Sequence, residues 1–166
     1  YSKGDEILFS GDSLKGGKYA VVLPQVKFFE IIVAEDKIDI ETDANDFIDK
    51  MVINSSEENR IFYNYVHFLR DQRMRIQPFE EELKTFTGND VEKEALVDNL
   101  RNINDEVVAE QNRIVNEHRD LLVAKYIYMS MPVTIPDAPK DENGVVTDSS
   151  FQRYYYVSHF FDHFDF

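Results

Sequence analysis

Not one of the 166 residues is cysteine, and none is tryptophan. Thiol–disulfide exchange needs a thiolate, and no serine or histidine replaces the attacking sulfur, so this chain cannot carry out that chemistry. The lack of cysteine does not decide the compartment, being compatible with cytosol or periplasm. Glycine is scarce at six residues. That leaves little to build a phosphate-binding loop, and no Gly-x-Ser-x-Gly or Cys–His pair is present. Positive charge is in deficit: 18 basic residues stand against 32 acidic ones, for a net charge of −14. The deficit is spread along the chain, so it reads as a solvated acidic surface. No basic stripe exists to neutralise phosphates, which argues against nucleic acid and against polybasic binding to anionic lipid. No apolar run reaches transmembrane length; the longest, Phe28 to Ala34, is interrupted by Glu30. No signal-peptide pattern is found either.

What is present belongs to an ordinary globular chain, 43% hydrophobic and 30% charged. Aromatics are abundant, with 13 Phe and 9 Tyr, and each buries a large area when it enters a core. The chain opens at Tyr1 without an initiator Met and stops at Phe166 inside an aromatic run. Both ends read as cut from a longer protein.

Hydrophobic period divides the chain into a β-rich segment, 1–54, and a helical segment, 55–166. In the first, Glu6–Ser10, Lys18–Leu23, Val26–Ala34, Lys37–Glu41 and Asp49–Asn54 read as short strands. Pro24 ends the second of them because it has no N–H for a ladder. Isoleucines 38 and 40 alternate with charge, one face to the core and one to water. An antiparallel meander or partial sandwich is expected.

The period changes at Ser55, where Ser55 and Glu58 form a capping-box pattern. Phe62, Tyr65, Leu69, Ile76, Phe79, Leu83 and Phe86 then recur at helical steps, with Gln72 in the one gap. Pro78 predicts a kink or a split near Gln77. Thr87-Gly88-Asn89-Asp90 is a stop and a new cap, followed by Leu96, Leu100, Ile103, Val107 and Ile114 on a second helix. Two long helices joined by so short a turn predict an antiparallel hairpin on the order of 40 Å long. Leu121–Met131 is apolar nearly all round and reads as a buried helix. Pro132, Pro136 and Pro139 enforce an extended loop, and Glu142-Asn143-Gly144 a turn. Asp148-Ser149-Ser150 caps a last helix, Phe151–Phe164. The whole is an α+β chain.

Several constellations could carry chemistry. His159 and His163 lie four apart beside Asp162, a spacing that on a helix can hold zinc. They lack a Glu in the His-Glu-x-x-His position and a third ligand, and their neighbours Phe160, Phe161 and Phe164 favour packing. Glu80-Glu81-Glu82, and Asp36 with Asp39 and Glu41, could pair as acid and base, but each set belongs to the wet face of an element. No cofactor motif is present. Tyr154, Tyr155 and Phe160 could form an aromatic surface for a protein partner, against the commoner reading of such residues as core.

Phe9-Ser-Gly-Asp-Ser-Leu-Lys-Gly-Gly-Lys-Tyr-Ala-Val-Val-Leu-Pro24 and Phe29-Glu-Ile-Ile-Val-Ala-Glu35 with Ile40-Glu-Thr-Asp43 form a family phrase. So do Ser55-Ser-Glu-Glu-Asn59, Pro136-Asp-Ala-Pro-Lys-Asp-Glu-Asn-Gly144 and Tyr156-Val-Ser-His-Phe-Phe-Asp162. Together they resemble two successive domains of unknown function, β-rich then helical, at the front of Bacteroidetes periplasmic thioredoxin-like proteins, thought to be thiol–disulfide oxidoreductases. The resemblance implies a periplasmic or outer-membrane-anchored protein, with a lipid anchor upstream of Tyr1 and a cysteine-bearing thioredoxin-fold domain beyond Phe166. It carries no catalytic residue onto this chain. In that setting Asp12-Ser13-Leu14 and Asp148-Ser149-Ser150 resemble short O-glycosylation signals, at Ser13 and Ser149. Asn54-Ser55-Ser56 fits an N-glycosylation pattern that bacterial origin would leave idle. The implied role is a non-catalytic module that recognises a partner or positions the redox domain. A scaffold subunit of an envelope complex, with no redox chemistry, is the alternative, and a hydrolase using paired carboxylates the third.

Overall fold

The computed structural model describes residues 2–3, 6–7, 14–24 and 27–164. Strand β1 (Ser2–Lys3) pairs antiparallel with β2 (Glu6–Ile7). β3 (Gly17–Leu23) pairs with β4 (Lys27–Val33), setting Lys18 opposite Ile32, Ala20 opposite Glu30 and Val22 opposite Phe28. β5 (Asp39–Glu41) pairs with β6 (Val52–Ser55), with a register shift between Asp39 and Ile40. Helices α1 (Glu57–Lys84), α2 (Asp90–Glu117), α3 (Leu122–Ser130) and α4 (Phe151–His159) follow. Antiparallel strands followed by helices, two of them long, make the α+β fold expected from the hydrophobic period.

Among the described residues the strands pair two by two instead of extending one meander. The far edge of β4 shows why. The fully buried Asn59 side chain occupies it: Oδ1 accepts from the Ile32 N–H at 2.8 Å, and Nδ2 donates to the Ile32 carbonyl at 2.7 Å. One turn later the Tyr63 hydroxyl donates to the Glu30 carbonyl at 2.9 Å. Residues 59 and 63 share a helix face, as 30 and 32 share a strand edge, so two side chains take the place of a neighbouring strand.

The start of α1 differs from the expected Ser55–Glu58 box. Ser56 is the capping residue, its Oγ accepting from the Asn59 N–H at 3.1 Å and from Asn59 Nδ2 at 2.8 Å. Glu35 Oε1 adds a second cap, accepting from the Glu57 N–H at 2.7 Å. A carboxylate at a helix N-terminus answers both the orphan donors and the dipole. Ser55 is the last residue of β6 and cannot turn into the helix; Ser56 does so at φ 131°, a value rarely adopted by a residue with a Cβ.

The chain forms two compact units, residues 1–74 and 75–166, so the division falls within α1. The first turns of that helix belong with the strands because Asn59 and Tyr63 are tied to β4. The hydrophobic period marks a different place, residue 55, because it registers the change of element and not the change of packing partner.

In the second unit α1 continues through Pro78 without splitting. α2 opens on a complete capping box: Asn89 accepts from the Glu92 N–H at 3.0 Å, and Glu92 accepts from the Asn89 N–H at 3.2 Å. A Cβ on Gly88 would meet the Glu92 carboxylate that closes this box and the Phe86 ring, so a larger residue there would make those two side chains move. Arg75 grips Glu106 with both guanidinium nitrogens across this turn, as an antiparallel hairpin requires. Ile103 and Ile114 are buried at the predicted positions, and α3 adds Val123, Ala124 and Ile127. α3 buries one face only, since Lys125 and Tyr128 are exposed.

The extended segment after Pro132 ends in a tight turn. Asp141 Oδ1 accepts from the N–H groups of Asn143 and Val145, both at 2.9 Å, and Gly144 adopts φ 80°. That left-handed value is open to glycine at no steric cost. Lys140 and Val146 bridge across it.

Candidate functional site

α4 is the element the sequence marked most heavily, and the structure leaves it without a single buried residue. Asp148 Oδ1 accepts from the Ser150 N–H at 2.8 Å and sets the entry; the Ser150 side chain makes no cap of its own. The helix stops at His159 instead of running to Phe164, and residues 160–163 continue as turns. One side of it packs on itself. Tyr155 lies 5.9 Å from the Phe151 ring and 4.1 Å from the His159 ring. The other side is open: Tyr154 is 68% exposed, Val157 64%, Phe161 57% and Phe160 41%. The reading of these aromatics as core is therefore corrected. Tyr154 and Val157 are one helical step of three apart on this side, and Phe160 and Phe161 follow in the turn beyond the helix.

Of the residues expected to meet a partner, Tyr154 and Phe160 lie on the exposed side, whereas Tyr155 faces the stack. Val157 and Phe161 belong to the surface and were not singled out from the sequence. The Tyr154–Val157 spacing was legible; the end of the helix before Phe161 and the exposure of this side were not.

The two histidines do not act together. His159 Nδ1 is 2.6 Å from Asp162 Oδ2, while His163 Nδ1 is 3.3 Å from the Met131 carbonyl and its ring lies 4.4 Å from Tyr128. Because α4 ends at His159, the pair is not held on one helical face as the spacing suggested. Among the described residues no three of His, Cys, Asp or Glu converge on a metal position. Ser149 sits exposed in the turn before α4, and Ser13 lies outside the described residues. Asn54 is exposed, but its amide already donates to Glu41 at 2.6 Å and to Asp39 at 3.3 Å.

The first unit contains a groove of about 460 Å³ beside the β4 edge, lined by Phe28, Phe29, Glu30, Phe47, Phe62 and Tyr63 among others. The 42–47 turn positions Phe47: Thr42 Oγ1 donates to the Phe47 carbonyl at 3.0 Å, and the Phe29 and Phe47 rings are 5.3 Å apart. Phe62 meets Tyr63 edge-on at 5.3 Å. The Tyr63 phenol is pushed up to about 12 by burial and, secondly, by the Glu30 carboxylate. Lys18 of β3 lies beside two of the lining residues, its Nζ 2.8 Å from Glu30 and 5.7 Å from the centre of the Phe62 ring.

Elsewhere the titrating groups form ordinary surface networks. Arg113 hydrogen-bonds Glu110, which holds the Glu110 carboxyl below its usual range and raises the guanidinium, with Glu117 adding to the latter. Among the described residues no helix is long and apolar enough to cross a membrane. The chain matches no protein-family model, no curated protein and no solved structure.

Proposed function

We propose that this chain is a non-catalytic recognition module, and that the exposed side of α4 is the surface it offers to a protein partner. The observation carrying this reading is the exposure of Tyr154, Val157, Phe160 and Phe161 on one short helix and its following turn. Large apolar and aromatic side chains supply contact area, and an exposed cluster of them marks an interaction site. The segment 151–161 contains no acidic residue, in a chain that has 32. A partner approaching there meets apolar side chains with Arg153 among them, and Asp148 and Asp162 flank the segment.

The family phrases support a more specific version. The module accompanies the redox domain of a periplasmic thioredoxin-like protein, and the thiol chemistry belongs to that domain. Hydrogen exchange on α4, compared between the 166-residue chain and the native protein from its source, tests the surface. Protection of the α4 amides in the native protein supports it; equal exchange in both refutes it. Intact mass of the native protein before and after thiol alkylation tests the redox half. A mass above 19.5 kDa with two alkylatable cysteines is expected. A larger protein without reactive thiols would sink that half and leave a scaffold subunit of an envelope complex.

A further inference from the structure

The groove beside β4 combines aromatic walls with acidic groups. Its walls are aromatic, from Phe28, Phe29, Phe47 and Phe62, and its rim holds two carboxylates, Glu30 and Asp46. Phe28 is 57% exposed and Ile48 42%, so apolar surface continues out of the mouth. An aromatic face attracts a cation through its quadrupole, most strongly where a carboxylate supplies the counter-charge and water is partly excluded. The chain already uses this arrangement on itself: the Lys18 ammonium is held between the Glu30 carboxylate and the Phe62 ring. Both partners are partly exposed, with side-chain accessibilities of 38% for Lys18 and 40% for Glu30, and an ion pair so exposed to solvent contributes little that a competing cation must offset.

We propose that this groove is a second binding site, distinct from α4, for an extended segment of a partner protein that carries arginine or lysine between apolar residues. The cationic head takes the place of Lys18 beside Glu30 and Phe62, both of which line the groove, and the side-chain stem lies along Phe28, which shares a strand face with Glu30. A volume of about 460 Å³ suits a long side chain with part of its neighbours. The net charge of −14 draws such a segment toward the chain, and the aromatic walls select it from other cations. The site is independent of any redox domain and of the α4 surface.

The test titrates the 166-residue chain with three blocked peptides, Leu-Arg-Leu, its citrulline counterpart and Leu-Glu-Leu, read by calorimetry and by NMR shifts of the phenylalanine rings. Saturable binding of the arginine peptide is expected, weakened roughly tenfold on replacing arginine by neutral citrulline, with none for the acidic peptide. Glu30→Gln should weaken it by a similar factor and Phe62→Leu by about fivefold. Lys18→Met is the decisive variant, because it removes the internal competitor and should tighten binding several-fold, a gain that misfolding cannot mimic. Equal binding of the arginine and citrulline peptides, no saturable binding, or a Lys18→Met chain that binds no better each overturns the proposal.

Discussion

The Asn59 side chain hydrogen-bonds both backbone groups of Ile32, its oxygen 2.8 Å from the N–H and its nitrogen 2.7 Å from the carbonyl oxygen. An amide side chain so placed imitates the peptide of a neighbouring strand. Both residues are fully buried, so no water can replace either bond. Asn59→Ala would leave two backbone groups unsatisfied and should cost about 2–4 kcal/mol. Asn59→Asp should do no better, because a carboxylate cannot donate to the Ile32 carbonyl. Urea unfolding of the two variants checks this; an alanine variant within about 0.5 kcal/mol of the parent would show that the edge is not held this way.

Ser56 presents a conflict that two substitutions separate. Its φ of 131° strains any residue with a Cβ, while its Oγ caps the helix through Asn59. Ser56→Ala keeps the strain and loses the acceptor, and should be destabilising by about 1–2 kcal/mol. Ser56→Gly loses the same acceptor but relieves the strain, so it should be the more stable of the two by about 1 kcal/mol or more. Thermal unfolding of the pair gives the order, and the reverse order would contradict it.

Tyr63 predicts a dependence on alkaline pH. Its phenol titrates at about 12 in the folded chain, above the ordinary 10.0. A raised folded value means that the associated stability is fully present below pH 10 and is lost as the pH rises through 12. Tyr63→Phe removes the bond to the Glu30 carbonyl and should cost about 1 kcal/mol at neutral pH. Its stability should then fall less steeply than the parent's above pH 10. Tyrosinate absorbance, followed together with circular dichroism through that window, measures both.

Pro78 sits inside a helix that continues on both sides of it. It has no N–H for the Met74 carbonyl, and its ring crowds that turn. Pro78→Ala should therefore stabilise the chain, by about 1–3 kcal/mol, and raise its helical circular dichroism. An unchanged or lower midpoint would mean that the proline is favoured by its surroundings.

The two sides of α4 should respond oppositely to truncation. Tyr154→Ser and Val157→Ser, at the exposed face, should change stability by no more than about 0.5 kcal/mol while reducing partner protection in the native protein. Tyr155→Ala removes the ring stacked on His159 and Phe151 and should cost about 1 kcal/mol. A large loss at Tyr154 would show that its face is a structural one.

Much of the fold was legible because its signals are local. The helical steps from Phe62 to Leu83 and from Leu96 to Ile114 each depend on neighbours three and four residues away, whereas Phe86, at the next step, lies past the end of α1. The stop and new cap at Thr87–Asp90 and the turn at Glu142–Gly144 are likewise local, their hydrogen bonds closing within five residues of sequence. The choice of Ser56 over Ser55 as the cap was not legible, because it depends on where β6 stops. The groove was missed for a similar reason. Phe29, Phe47 and Phe62 look like three separate core residues until strand, turn and helix bring them beside Glu30.

Residue types alone determined that this chain does no thiol chemistry, that its surface is strongly acidic, and that strands precede two long helices. Those conclusions rest on composition and short-range periodicity. The tertiary structure decided that β4 is covered by Asn59 and Tyr63 and that the aromatic side of α4 faces solvent. It alone placed Lys18 between Glu30 and Phe62. Each of these depends on groups distant in sequence becoming neighbours, and no local pattern specifies which surfaces will meet a partner and which will remain open.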